Sequence, residues 1–174
     1  MEIREMEEGD EPAVERFVTR IPERDRTFFK EDVSDPSVIK AWTRPGVAYS
    51  LAVEAGEVIG TASVVPLHGW SSHVGEVRVI VDPAHRGTGV GRALARQAVV
   101  DALGLGLTKM VVEVTAEEDA TVGMFRALGF DPEALLVDHV RDKAGELHDL
   151  MILAHTVEGA STALQVSGLA PELN

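Results

Sequence analysis

The sequence predicts a single mixed α/β domain. Three observations carry that expectation. Apolar runs alternate with helical patterns in the order β-α-α-β-β-β-α-β-α-β-β; a Val- and Ile-rich run at Val74–Val81 feeds a glycine-rich turn; and no apolar run approaches the length of a bilayer span. A chain of 174 residues favours one domain and is long enough to bury a core. The domain is expected over residues 1–156. Residues 157–174, small and polar with weak periodicity, read as an appendage, loosely ordered or packed on another subunit.

Each element has its own signal. Ile3 alternates with charged neighbours over Glu2–Met6, a first strand. Asp10 before Glu11-Pro12 opens a helix with Val14, Phe17, Val18 and Ile21 on one face, and Asp35-Pro36 opens a second, short helix through Trp42. Between them Arg24–Phe29 is irregular and charged. Val47–Glu54 and Glu57–Val65 read as strands joined by a tight turn at Ala55-Gly56. After Val74–Val81, Asp82-Pro83 ends the strand, and a helix follows over Gly91–Leu103. Lys109–Val114 reads as a buried strand. Glu117–Leu128 is a helix closed by Gly129, and Leu135–Val140 and Leu147–His155 are strands about a turn at Lys143-Ala144-Gly145.

Composition narrows the function. A formal net charge of −13 argues against nucleic acid or an anionic membrane as a partner through a broad basic surface; it suits a cationic substrate, though acidic balance also serves solubility alone. The chain has no cysteine, which removes disulfides, thiolate metal sites and cysteine nucleophiles, and its histidines show no metal-ligand spacing, so no metal is expected. The start of the sequence lacks a basic and then apolar leader, and a cytoplasmic protein is the simplest expectation.

The chemistry centres on Arg86-Gly87-Thr88-Gly89-Val90-Gly91-Arg92, where a buried strand turns into a helix. A helix N-terminus carries unpaired N–H groups and the positive end of the dipole, and glycines let the backbone approach an anion closely, so the segment is a phosphate cradle. The dinucleotide fingerprint G-x-G-x-x-G fails here: the third glycine falls on Arg92 or Leu94. The P-loop Gly-Lys-Ser/Thr is absent. Glu113, ending the next strand, is placed as a ribose-binding acid could be, so a nicotinamide-binding half-domain stands as the runner-up reading of the loop.

The same segment resembles the first signature motif of the GNAT (GCN5-related N-acetyltransferase) superfamily, Arg/Gln-x-x-Gly-x-Gly/Ala. Phe125-Arg126-Ala127-Leu128-Gly129-Phe130 resembles the second, a helix ending in Tyr-x-x-x-Gly-Phe. The hairpin ending His148-Asp149-Leu150-Met151-Ile152-Leu153 is also similar to the family's, and together these matches cover roughly half the chain in the expected order. The resemblance implies a mixed, mostly antiparallel sheet of about seven strands flanked by about four helices. It implies an acetyl-CoA-dependent N-acetyltransferase acting on a primary amine, of a small molecule or a peptide, by direct attack on the thioester. A homodimer is compatible with it.

Residue by residue, the resemblance implies that backbone groups of Val79 and Val81 bond the pantetheine, a form of strand addition, and that one of their N–H groups supplies the oxyanion donor. The pyrophosphate would rest on the amides of Gly87, Gly89, Val90 and Gly91, with Thr88 in the same turn. Arg86, Arg92 and Arg126 would add positive charge or remain solvated helix surface. The position of the family's thiolate-protonating tyrosine falls on Phe125, which has no proton to give, so Phe125→Tyr is expected to preserve or raise turnover. Tyr49, the chain's one tyrosine, is a distant substitute. Glu76 is the candidate general base, with desolvation among Val74, Val77 and Val79 expected to raise its pKa. Counting back from Asp82, however, the family glutamate falls on Gly75, and a one-residue slip turns a side chain to the other face unless a β-bulge restores it. The other reading of Glu76 is a strand carboxylate paired with Arg78. His68 and His73, expected to flank the active-site end of the strand, are alternative bases or exposed loop residues, and Trp42 and Trp70 line a pocket or pack. A GNAT-like protein that binds acyl-CoA without turnover, as a sensor or structural subunit, is the alternative function.

Overall fold

The computed structural model describes residues 1–142 and 144–157. From residue 158 on, the expected appendage lies outside the described residues. Among the described residues, seven strands form one sheet: β1 (Glu2–Glu5), β2 (Ala48–Glu54), β3 (Glu57–Pro66), β4 (Val74–Val81), β5 (Lys109–Thr115), β6 (Asp131–Arg141) and β7 (Leu147–Thr156). Four α-helices among the described residues flank it: α1 (Glu11–Arg20), α2 (Pro36–Lys40), α3 (Val90–Gly104) and α4 (Asp119–Arg126). The strand order is β1-β2-β3-β4-β5-β7-β6, and every neighbouring pair is antiparallel except β4–β5. A doubly wound sheet needs successive parallel strands. The single parallel pair therefore removes the nicotinamide-binding half-domain.

Two apolar clusters, one on each face, hold the sheet between its helices. On one face Val77, Val112, Val114 and Leu153 pack with Leu94, Ala98 and Val99 of α3 and with Phe125, Leu128 and Phe130 around α4. On the other, Tyr49, Leu51, Val58 and Ile80 pack with Val14, Phe17 and Val18 of α1, with Ile21 just beyond it, and with Ile39 and Trp42 around α2. Strand periodicity assigns the faces: in β4, Val77, Val79 and Val81 belong with α3, whereas Glu76, Arg78 and Ile80 look toward α1 and α2.

Several boundaries differ from the sequence expectation for identifiable reasons. Arg24–Phe29 lies within a 3-10 helix, Glu23–Phe29, and a 3-10 turn at Ala41–Thr43 replaces the last part of the expected second helix. β6 begins at Asp131, running through Pro132, because it is the edge strand, where a missing N–H breaks no ladder bond; its register shifts beside Pro132 and again between Leu136 and Val140. Gly129, at φ 87°, turns the chain out of α4 while Phe130 N–H bonds the Phe125 carbonyl.

Candidate active site

Where β4 leaves β5, the sheet opens. The two strands pair only from Val74↔Lys109 to Val77↔Val112, and beyond that they part. Which groups line the opening follows from the β3–β4 ladder. Asp82 donates to the Ile59 carbonyl and Leu67 to the Val74 carbonyl, both at 2.9 Å. In an antiparallel pair the main-chain groups of alternate residues point to alternate sides. Even-numbered residues of β4 therefore bond β3, and the N–H and C=O of Val79 and Val81 turn into the opening. The Val81 carbonyl accepts a 3.4 Å contact from Arg86 Nε, the one side-chain partner seen there among the described residues.

At the wide end of the opening sits the glycine turn. Gly87 and Gly89 have φ of 75° and 94°, a region L side chains rarely adopt, and Gly89 is the N-cap of α3. The first α3 bond runs from Ala93 N–H to the Gly89 carbonyl, so the N–H groups of Val90, Gly91 and Arg92 have no acceptor in the helix. Val90 fixes the start of the helix by burying its side chain, while Gly87, Thr88, Gly89 and Arg92 are exposed. A Cβ at Gly87 or Gly89 would meet nothing within 4 Å, so the turn presents bare backbone to solvent. Thr88 donates its hydroxyl to the His85 carbonyl at 2.6 Å, tightening the turn. Arg86 donates to the Asp25 carboxylate at 2.7 Å, and Arg126 is exposed on α4. An open strand edge beside a glycine-capped helix fits an extended ligand with a phosphate end.

On the α1–α2 side of the same opening lies a charged constellation. Glu76 accepts from Lys30 Nζ at 2.5 Å and from Arg78 Nε at 2.9 Å. Lys30 also bonds Glu113 of β5, and Arg78 donates to the Phe29 carbonyl at 3.1 Å. Burial pushes the Glu76 carboxyl up, but the hydrogen bonds and charges of Arg78 and Lys30 outweigh it and hold the group below the usual carboxylate range. The expected raised pKa is thus reversed. The β3–β4 ladder runs unbroken from Gly60↔Val81 to Pro66↔Gly75, without the bulge that would have turned Glu76 round. None is needed for Glu76 to reach this face. Gly75 points the other way, into the α3 layer, where a Cβ would lie 2.5 Å from Leu107 Cδ1.

Beside this constellation is a small cavity lined by Phe29, Glu31, Trp42, Tyr49, Ser63 and Arg78, among others. Its wall is an aromatic stack, Trp42 on Tyr49 at 4.6 Å and Phe29 on Trp42 at 6.1 Å, and Trp42 Nε1 donates to Glu31. Burial, then the Glu31 charge, pushes the Tyr49 hydroxyl up to about 12, so it does not readily give a proton. Trp70 is 97% exposed. His68 and His73 are exposed too, but at the closed end of the β4–β5 pair, since the His73 carbonyl accepts from Thr108 and Lys109 before the first rung. The expectation that they flank the active-site end is corrected accordingly. Phe125 is 2% exposed and edge-on to Phe130 at 5.2 Å, a core residue whose ring does not line open space. No metal spacing was evident in sequence, yet Asp142, Glu146 and His148 bring ligand atoms within 4.8 Å of one another at the β6–β7 turn. There the hydrogen bond to Asp142, followed by the Glu117 charge, raises the imidazole's pKa, so the group reads as an ion pair.

Sequence reasoning missed Lys30, Glu31 and Asp25, and weighed Glu113 only as a ribose ligand. Acidic and basic residues in an irregular stretch carry no periodic signal; the Phe28-Phe29-Lys30-Glu31 run, apolar then charged, is the available clue.

A seven-stranded sheet parted beside a glycine-capped helix is the architecture of an acetyltransferase. Residues 15–130 match the Acetyltransferase (GNAT) family, and the chain belongs to that family. Among its relatives is the uncharacterized N-acetyltransferase YjgM of Escherichia coli (strain K12), 27% identical over 128 residues, covering 70% of this chain and 77% of that one. A mycothiol acetyltransferase from Thermobispora bispora is 34% identical over 93 residues, 51% of this chain; the match spans 31% of that longer protein. Among solved structures, yncA from Salmonella typhimurium, a putative acetyltransferase with its cofactor acetyl-CoA, superposes with a TM-score of 0.75 at 23% identity, covering 92% of this chain and 96% of that one. Among the described residues, no helix is long and apolar enough to cross a membrane.

Proposed function

We propose that this protein transfers an acetyl group from acetyl-CoA to a primary amine, of a small molecule or a peptide, by direct attack, and that residues 1–156 form the catalytic domain of a cytoplasmic enzyme. The observation that carries the reading is the opening itself: Val79 and Val81 main-chain groups that bond neither β3 nor β5 lead to the bare glycine turn at the N-terminus of α3. On this reading Val79 and Val81 bond the pantetheine amides, and the amides of Gly87, Thr88, Gly89, Val90, Gly91 and Arg92 hold the pyrophosphate, with charge from Arg86 and Arg126. Family membership and the acetyl-CoA in the yncA structure support it.

Attack requires a neutral amine. Glu76, on the open face and 13% exposed at its side chain, takes the proton once the incoming amine displaces Lys30. The N–H of Val79 or Val81 stabilises the charge that develops on the thioester oxygen. Phe125 forms part of the apolar floor beneath α4 and gives no proton, so the leaving thiolate is protonated by water or by the acid form of Glu76.

A second reading, binding of acyl-CoA without turnover, is favoured by one observation: Glu76 is held as an anion by two cations, a poor state for a base. Calorimetric titration with acetyl-CoA, CoA and NAD, followed by thiol release on a panel of amines, tests both. Binding with release establishes the transferase, binding without release on any amine establishes the second reading, and binding of NAD alone overturns both.

A further inference from the structure

The ammonium of Lys30 already occupies the place where a reacting amine is needed. Its Nζ lies between Glu76 of β4 and Glu113 of β5, the two carboxylates that face each other where the strands part. Glu113 stands one residue beyond the last rung on β5 and shares the face of Glu76, because Val111 pairs with Glu76 and side chains alternate.

The chain is built to hold that lysine there. Lys30 has φ of 58°, a left-handed conformation that a lysine adopts only when its surroundings impose it. Arg78 supplies the constraint by binding the Phe29 carbonyl, and the buried Phe29 ring stacks on Trp42. The sequence holds four lysines, Lys30, Lys40, Lys109 and Lys143, and Lys109 is committed to Glu133 outside the opening. Among the described residues, only Lys30 is seen with its amine on the candidate base.

We infer that Lys30 is a self-acetylation site: in the absence of an external acceptor, its own amine takes the acetyl group from an acetyl thioester seated in the opening. The inference rests on the proposed acetyl-CoA reading. The step balances without another reactant. The Lys30 ammonium gives a proton to the Glu76 carboxylate, and the freed lone pair forms a C–N bond to the thioester carbonyl. The C–S bond breaks with its electron pair on sulfur, and the nitrogen's second proton is lost to water. Glu76 returns its proton to the leaving thiolate, so the products are an amide, a thiol and one proton. The product is a neutral acetyl-lysine, which leaves Glu76 and Glu113 without their shared cation and open to the ammonium of an external acceptor.

The test uses the full chain, shown by intact mass to be unmodified, incubated with acetyl-CoA and mapped by tandem mass spectrometry. Lys30 is expected to gain one acetyl group about 10²-fold faster than Lys40, Lys109 and Lys143 in the same sample, the advantage of a positioned base. The rate should not depend on protein concentration, Glu76→Gln should remove the advantage, and Lys30→Arg should remove the label. Equal labelling of all four lysines, or a rate that rises with protein concentration, overturns the inference. A readout without any thioester checks the geometry: Glu76→Gln and Glu113→Gln should each shift the NMR signals of the Lys30 side-chain methylene next to Nζ and leave those of Lys40 in place, and unmoved Lys30 signals would sink the proposal even if a variant folded poorly in the labelling assay. Thiol release with external amines while Lys30 stays unlabelled overturns self-acetylation alone. Failure to bind acetyl-CoA overturns the transferase reading on which it rests.

Discussion

Gly75 and Leu107 stand so close that a Cβ on Gly75 would fall 2.5 Å from Leu107 Cδ1, with Val64 Cγ1 at 3.1 Å. The position at which the family glutamate counts out is thus filled by the α3 layer. Gly75→Ala is expected to lower stability by about 1–3 kcal/mol, as overpacking does, read as a lower urea midpoint at unchanged slope. An unchanged midpoint would mean that this layer has room for a side chain.

Glu76→Gln keeps the shape of the side chain and removes its charge. Turnover on an accepted amine should fall about 10²-fold, with acetyl-CoA affinity nearly unchanged, and the deficit should shrink at high pH where more amine is neutral. The same variant reports on stability. Because the folded pKa of Glu76 is depressed, its contribution is present above the ordinary carboxylate value and is lost as pH falls through the folded value. Wild type should therefore lose stability relative to Glu76→Gln on moving from neutral pH to below the ordinary Glu range. Parallel stability curves in urea for the two proteins would contradict the ion-paired state.

Gly91 separates folding from binding. A Cβ there meets only Met124 Sδ at 3.4 Å and Val81 Cγ2 at 3.5 Å, ordinary contacts. Gly91→Ala should hold or raise the melting temperature, since alanine is preferred to glycine within a helix by about 0.5–1 kcal/mol. Gly91→Asp and Gly89→Asp should weaken acetyl-CoA strongly, placing a carboxylate where the pyrophosphate is expected; at Gly89 the φ of 94° adds strain. Calorimetry showing wild-type affinity in both aspartate variants would remove the cradle assignment.

Phe125→Tyr looked benign from sequence, and the structure changes the forecast. The ring is buried against Phe130, so an added hydroxyl without a partner should destabilise by about 1–3 kcal/mol and leave turnover no higher than wild type. A rise in turnover at unchanged melting temperature would show that the ring reaches the acetyl sulfur.

What was legible in the sequence tracks what is local. β4 runs from Val74 to Val81 as expected, because β-branched composition and the Asp82-Pro83 stop are both read within one segment. The glycine turn was legible because spacing alone separates it from other phosphate loops. Lys30 was not: its partners lie 46 and 83 residues away along the chain, and nothing near it records that distance. The face on which Glu76 stands was ambiguous for a related reason, since a single bulge reverses it and only the paired ladder shows that none is present. The start of β6 at Asp131, four residues before the expected Leu135, was not legible because a proline fits a strand only where that strand is known to be an edge.

The short parallel seam between β4 and β5 has a mechanical meaning. Seven residue pairs join β3 to β4 and seven join β5 to β7, but only four join β4 to β5. The sheet is therefore two well-laddered wings meeting along a short seam. Glu76 rides on one wing and Glu113 on the other, and the Lys30 amine is a clasp between them. Whatever takes that charge away, by displacement or by chemistry, removes the ion pairs that tie Glu76 to Glu113 at the edge where the opening begins.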